Sequence, residues 1–109
     1  MLIENFSRLK IRDMTMRGRC QRIAGYLVMG LRPRVAIQIA GYSYSTAKKN
    51  QSFIIRRPLV RAALVDFCKS LPVEGHDALD AIVATTPSIR EAIFVTRLKL
   101  RLALSQKPS

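Results

Sequence analysis

Carboxylates are scarce in this chain: 7 Asp and Glu stand against 19 Lys and Arg in 109 residues, a formal net charge of +12 with a pI near 10.9. Such a charge repels itself unless a polyanion or an acidic partner shares the surface. Histidine occurs once, His76, and cysteine twice, Cys20 and Cys68, with no CxxC. Three such residues fall short of the four ligands of a structural zinc site, so a zinc finger is excluded. Two distant thiols read as reduced, core-filling cysteines of an intracellular, cytoplasmic protein. No run of about 18 apolar residues exists, so no transmembrane helix is expected. The stretch MLIENFSRLKIRD has no apolar core and is not expected to act as a secretory signal. The phosphate-loop pattern GxxxxGK[ST] is missing. Nothing pairs a nucleophile with a base, or two carboxylates in a pocket pattern, so no enzyme, cofactor or metal is expected. His76, between Gly75 and Asp77, reads as a loop or helix-cap residue. Glu74, Asp77 and Asp80 read as acids complementing a helix N-terminus rather than a metal cluster.

Apolar residues make up 49% of the chain, enough for a modest core. The positive charge is concentrated. Residues 1–61 hold 13 basic side chains against Glu4 and Asp13, a net of +11, while residues 62–109 hold 6 against 5, a net of +1. That asymmetry points to a polyanion-binding module in residues 1–71 followed by a nearly neutral element with another task in residues 76–105.

Periodicity favours helix throughout, and no alternating strand pattern is found, so the fold class is all-α. A first helix is expected over Glu4–Arg12. Asp13 or Thr15 caps a second, Met16–Met29, with Cys20, Ile23, Ala24, Leu27 and Val28 inward and Gly30 closing it. Pro33 suits a first helical position and opens a short helix over Arg34–Ala40, with Val35, Ala36 and Ile39 inward and Gly41 ending it. Ser43 or Ser45 caps Tyr44–Ile55, with Ala47, Phe53, Ile54 and Tyr44 inward and Thr46, Lys48, Lys49, Asn50 and Gln51 facing solvent. Pro58 begins a helix to Lys69 with a stripe of Val60, Leu64 and Phe67. Two more follow, over Asp77–Ala84 and from Thr86-Pro87 to Leu104.

The stretch Pro33–Ile55 reads as a helix-turn-helix: a short helix, a tight turn at Gly41-Tyr42-Ser43, and a second helix rich in polar and basic residues. Such a second helix leads into the DNA major groove with its N-terminal residues. Tyr44, Ser45, Thr46, Lys48 and Lys49 fit that role by type and position. Arg56, Arg57 and Arg61 suit phosphate contacts, where charge matters more than geometry, and Arg32 and Arg34 are further backbone candidates.

At these residues the chain also resembles a family. Gly25-Tyr26-Leu27-Val28-Met29-Gly30, then Val35-Ala36-Ile37-Gln38-Ile39-Ala40-Gly41-Tyr42-Ser43, then Thr46-Ala47, then Ile54-Ile55-Arg56-Arg57-Pro58-Leu59-Val60-Arg61-Ala62-Ala63-Leu64 is similar to the N-terminal domain of tailed-phage terminase small subunits. The likeness spans about 40 of the 109 residues in order. One residue is extra between Gly30 and Val35, and Pro33-Arg34 replaces small polar residues. The resemblance implies a DNA-binding packaging protein, arrayed as a ring in the host cytoplasm, that presents double-stranded phage DNA to a large ATPase and nuclease subunit. It implies DNA-facing positions at Tyr44, Ser45, Thr46, Lys48 and Lys49, a packed turn at Ala36, Ala40, Gly41 and Tyr42, and an oligomerisation role for the region after Gly75. Ser105–Ser109 is the stretch left for large-subunit contact.

The last helix supports self-association on its own pattern. Arg90, Arg97 and Arg101 share one face, while Ile89, Ile93, Phe94, Leu98 and Leu102 belong to an apolar band too wide for one small core. Two other readings stay open: a helix-turn-helix transcription regulator of a phage or mobile element, usually a dimer, and a basic helical protein binding RNA or an acidic protein.

Overall fold

The computed structural model describes residues 15–75 and 77–106, so the expected helix over Glu4–Arg12 and the side chain of His76 lie outside the described residues. The described part is all-α, with six helices and no strand: α1 (Met16–Val28), α2 (Pro33–Ile39), α3 (Tyr44–Ile55), α4 (Pro58–Ser70), α5 (Asp77–Thr85) and α6 (Ile89–Ser105).

Local chemistry sets the helix ends. Thr15 caps α1 by accepting from Gly18 N at 3.0 Å, and Ser43 caps α3 by accepting from Thr46 N at 3.1 Å. Pro33 and Pro58 occupy first-turn positions, where a missing N–H costs nothing. α1 and α2 end alike. Gly30 (φ 101°) and Gly41 (φ 121°) take the left-handed conformation that glycine adopts without strain. Beyond each, a paired set of bonds closes the helix: Gly30 N to Leu27 O with Leu31 N to Tyr26 O, and Gly41 N to Gln38 O with Tyr42 N to Ile37 O. The last helix starts later than expected. Ser88, not Thr86-Pro87, caps it by accepting from Glu91 N.

One cluster of buried side chains runs through the whole described chain. It joins Cys20, Ile23 and Leu27 of α1, Ala36 and Ile37 of α2, Ala47 and Ile54 of α3 and Leu64 of α4 to Val83, Ile89, Ala92 and Val95 of the last two helices. α4 packs on α1, α5 and α6, and α6 also touches α1, whereas α3 has its main contact with α2. Residues 77–105 therefore pack on α4 and, through α6, on α1.

Three residues expected to face inward, Ile39, Phe53 and Tyr44, are exposed. In α2 the buried pair is Ala36 and Ile37, and Ile39 is exposed. In α3, Ala47 is followed on its own face by Ile54 and Ile55, at i+7 and i+8, and both are buried. Phe53, at i+6, falls well round the helix and is 69% exposed, and Tyr44 is also exposed.

Candidate functional site

Between Thr15 and Arg61 the chain has ten Lys and Arg and no Asp or Glu. The stretch therefore supplies no carboxylate of its own to these cations; Arg34 and Arg57 meet neutral groups, whereas Arg32, Lys48, Lys49 and Arg56 face water.

The outward group lies on α3 and at the start of α2. Arg32, Ser45, Lys48, Lys49 and Arg56 are exposed, and their side chains take no partner among the described residues. Lys48 and Lys49 lie before a break in the helix at Asn50, and Ser52 and Arg56 after it, Arg56 at the C-cap. α3 is held mainly by α2. Arg34 reaches from α2 across the turn: its guanidinium carbon lies 5.3 Å from the centre of the Tyr44 ring, and Nη1 stands 3.4 Å from the Tyr44 hydroxyl. That contact holds an exposed aromatic ring at the first turn of α3 and leaves the Arg34 charge beside it.

Thr46 has a different place from the one expected. It is half-buried, its hydroxyl accepts from Ser43 Oγ at 3.0 Å, and its amide donates to the same oxygen. It serves the cap of α3. Arg57 is likewise folded back, donating to the Tyr42 hydroxyl at 2.7 Å and to Met16 Sδ at 3.0 Å, with its guanidinium over both the Tyr42 and Phe53 rings. Burial raises the nearby Cys20 thiol above its usual range, against the pull of Arg57.

Arg61 departs furthest from a phosphate role. Its Nη1 donates to Val83 O at 3.0 Å and Thr86 O at 2.5 Å, so its charge closes the C-terminal end of α5. The loop beyond is tied by Thr86, whose hydroxyl donates to the Glu91 carboxylate and accepts from Ser88 N.

The expected oligomerisation residues divide by exposure. Ile89 is buried in the chain's own core, so it is withdrawn from the outer face, and Ile93 and Leu102 are half-buried. Phe94, 63% exposed, and Leu98 point outward, with Arg90 and Arg101 also exposed on α6.

A buried polar cluster, not expected from the sequence pattern, joins α4, α5 and α6. Lys99 is 2% exposed; its ammonium donates to Cys68 O at 2.6 Å and to Asp80 Oδ1 at 2.7 Å. The Cys68 thiol donates to the same carboxylate oxygen at 3.1 Å. Hydrogen bonds from Lys99 and Cys68 hold Asp80 below the ordinary carboxylate range, and burial beside that carboxylate pushes the Cys68 thiol up to about 11. A thiol so raised stays protonated and is a poor nucleophile. The signal was present: Ile89, Ala92, Thr96 and Lys99 share the inward stripe of α6, so Lys99 falls at a core position.

Among the described residues no group of His, Cys, Asp and Glu could hold a metal ion, and no helix is long and apolar enough to cross a membrane. Comparison with protein-family models, with curated proteins and with solved structures finds no match for this chain.

Proposed function

We propose that this chain is a non-enzymatic, double-stranded-DNA-binding protein that uses α2, the Gly41 turn and α3 as a helix-turn-helix, with α3 lying in the major groove. The observation that carries the reading is the cation-only stretch from Thr15 to Arg61, of which Lys48, Lys49 and Arg56, without a partner among the described residues, project from the least enclosed helix. A surface with several cations and no acid neutralises phosphates and releases their counterions, which is the main source of affinity for a duplex. Ser45 and Tyr44, at the leading turn of α3, are the side chains suited to base edges or the sugar–phosphate wall. Arg32 and Arg34 supply backbone contacts from the start of α2, while Arg57 and Thr46 support α3 from behind.

The biological setting proposed is genome packaging. The run from Gly25 to Leu64 resembles the DNA-binding domain of terminase small subunits, and the exposed Phe94 and Leu98 suit assembly of several copies. In that setting the homo-oligomer, a ring in the host cytoplasm, would recognise phage DNA and present it to a large subunit bearing ATPase and nuclease centres.

The test is a low-salt mobility shift with a duplex of about 20 base pairs, comparing wild type with Lys48→Ala/Lys49→Ala. The double variant is expected to fold normally, to bind all sequences more weakly, and to lower the slope of log affinity against log salt by about 1.8, two phosphate contacts at about 0.9 each. Binding equal to wild type would remove α3 from the interface.

A further inference from the structure

A cleft of about 450 Å³ opens where the C-terminal half of α3 meets the start of α6, lined by Gln51, Ser52, Arg56, Ser88 and Arg90 among others. A second hollow of about 270 Å³ shares Gln51 and Arg90 with it and extends to Gly30 and Arg97. The two form one groove, and no Asp or Glu lines either part. Arg56, Arg90 and Arg97 take no partner among the described residues. The neighbouring Glu91 carboxylate accepts a hydrogen bond from the Thr86 hydroxyl. At Gly30 a side chain would meet the Arg97 guanidinium at 3.4 Å, so the bare glycine leaves the arginine its room in the groove wall.

Arg56, Arg90 and Arg97 bring three like charges to a groove whose inner part, at Leu27, Leu31, Pro33 and Ile93, is apolar, and an anion seated there would offset their mutual repulsion. Guanidinium is suited to phosphate through its paired, planar donors. Arg90 and Arg97 are seven residues apart on α6, about 10 Å along the axis, a spacing that suits an extended polyanion such as a nucleic-acid strand. The groove also takes in Ser52 and Arg56 of α3, beyond the break at Asn50.

We propose that this groove between α3 and α6 is a second seat for the DNA backbone, in which Arg90 and Arg97 hold phosphates of the duplex that α3 engages, with Arg56 as the bridge between the two contacts. The proposal rests on the DNA-binding reading and deepens it: α6 becomes part of the nucleic-acid surface as well as part of the core. A strand entering the groove would lie across Gln51, Ser52 and Ser88, whose amide and hydroxyl groups are neutral donors to phosphate oxygens.

The experiment measures duplex affinity by fluorescence anisotropy over a salt series for wild type, Arg90→Ala/Arg97→Ala and Arg90→Lys/Arg97→Lys, with circular dichroism to verify the fold. The alanine pair is expected to lose about 1.8 from the salt slope, and the lysine pair to recover most of that loss, because charge returns without the guanidinium geometry. Wild-type affinity and slope in a folded alanine pair would overturn the second seat while leaving the α3 contact intact. Absence of any salt-dependent duplex binding by wild type would overturn both. Loss of poly-glutamate binding by the alanine pair, with duplex binding unchanged, would give the groove to an acidic polypeptide and overturn the proposal in that direction.

Discussion

On α2 and α3 the cations Arg32, Lys48, Lys49 and Arg56 face water with no partner among the described residues, whereas at the junction of α4, α5 and α6 the cations Arg61 and Lys99 are drawn into the molecule. The residue types are the same in both regions, and the supply of acceptors differs. No carboxylate lies between residues 15 and 61, but α5 brings Asp80 and its C-terminal carbonyls against α4 and α6. Arg57 is the intermediate case: lacking an acid, it uses the Tyr42 hydroxyl, two aromatic faces and a sulfur. A cation is therefore structural where an acceptor is built beside it and available to a ligand where none is.

The largest effect that can break this contrast is at Lys99. Removing its partner strands a buried ammonium, so Asp80→Ala is expected to destabilise the chain by about 3 kcal/mol or more. Lys99→Met should cost less, because the Asp80 side chain is 18% exposed and can still reach water. Urea midpoints measure both. Equal losses would mean the two groups act as a simple surface pair. The pH dependence has a fixed sign. Asp80 is held below its ordinary value, so its contribution is complete above the unfolded carboxylate pKa of about 3.9 and is lost as pH falls through the lower native one. The stability gap between wild type and Asp80→Ala should accordingly close on acidification below about pH 4 and persist at neutrality.

A smaller effect sharpens the assignment of Arg61. Truncation to alanine leaves Val83 O and Thr86 O without their charged donor, an expected loss of about 2 kcal/mol. The folded Arg61→Ala protein should retain wild-type duplex affinity and salt slope. A slope lowered by about 0.9 would return Arg61 to the phosphate surface.

Much of the fold could be read from periodicity and punctuation. Both glycine closures, the Thr15 and Ser43 caps and the two first-turn prolines follow from local chemistry, which depends on a few adjacent residues. The misread positions depend on packing. Phe53 is apolar, and only the choice of Ala47, Ile54 and Ile55 as the inward face turns it outward. Arg61 has the composition of a phosphate ligand, and nothing in its neighbours announces that the end of α5 lies 3.0 Å away. Lys99 was legible in principle, since it continues the stripe of Ile89, Ala92 and Thr96, but a lysine inside an apolar band reads as snorkelling until its acid is found on another helix. The groove arginines were partly visible: Arg90 and Arg97 share a face of α6, but their meeting with Arg56 is a tertiary fact.

The smallest expected change in stability attends the outer face of α6, and it bears on assembly. Phe94 and Leu98 are exposed on a helix whose opposite side is buried in the core. Leu98 still buries part of its side chain and serine is a weaker helix former, so the exchange is expected to cost the isolated chain only about 1 kcal/mol. A solution mass measured by light scattering reads the other consequence. If the wild type is a closed oligomer well above a tetramer, as the packaging reading requires, Phe94→Ser/Leu98→Ser should fall to a much smaller species with its DNA contact residues intact. A wild-type dimer would favour a regulator binding paired half-sites. An unchanged mass in the variant would move the subunit contact off α6, leaving that face to the duplex lying in the adjoining groove. The mass of Phe94→Ser/Leu98→Ser and the salt slope of Arg90→Ala/Arg97→Ala thus test the two assignments of α6 separately, because they rest on different residues of one helix.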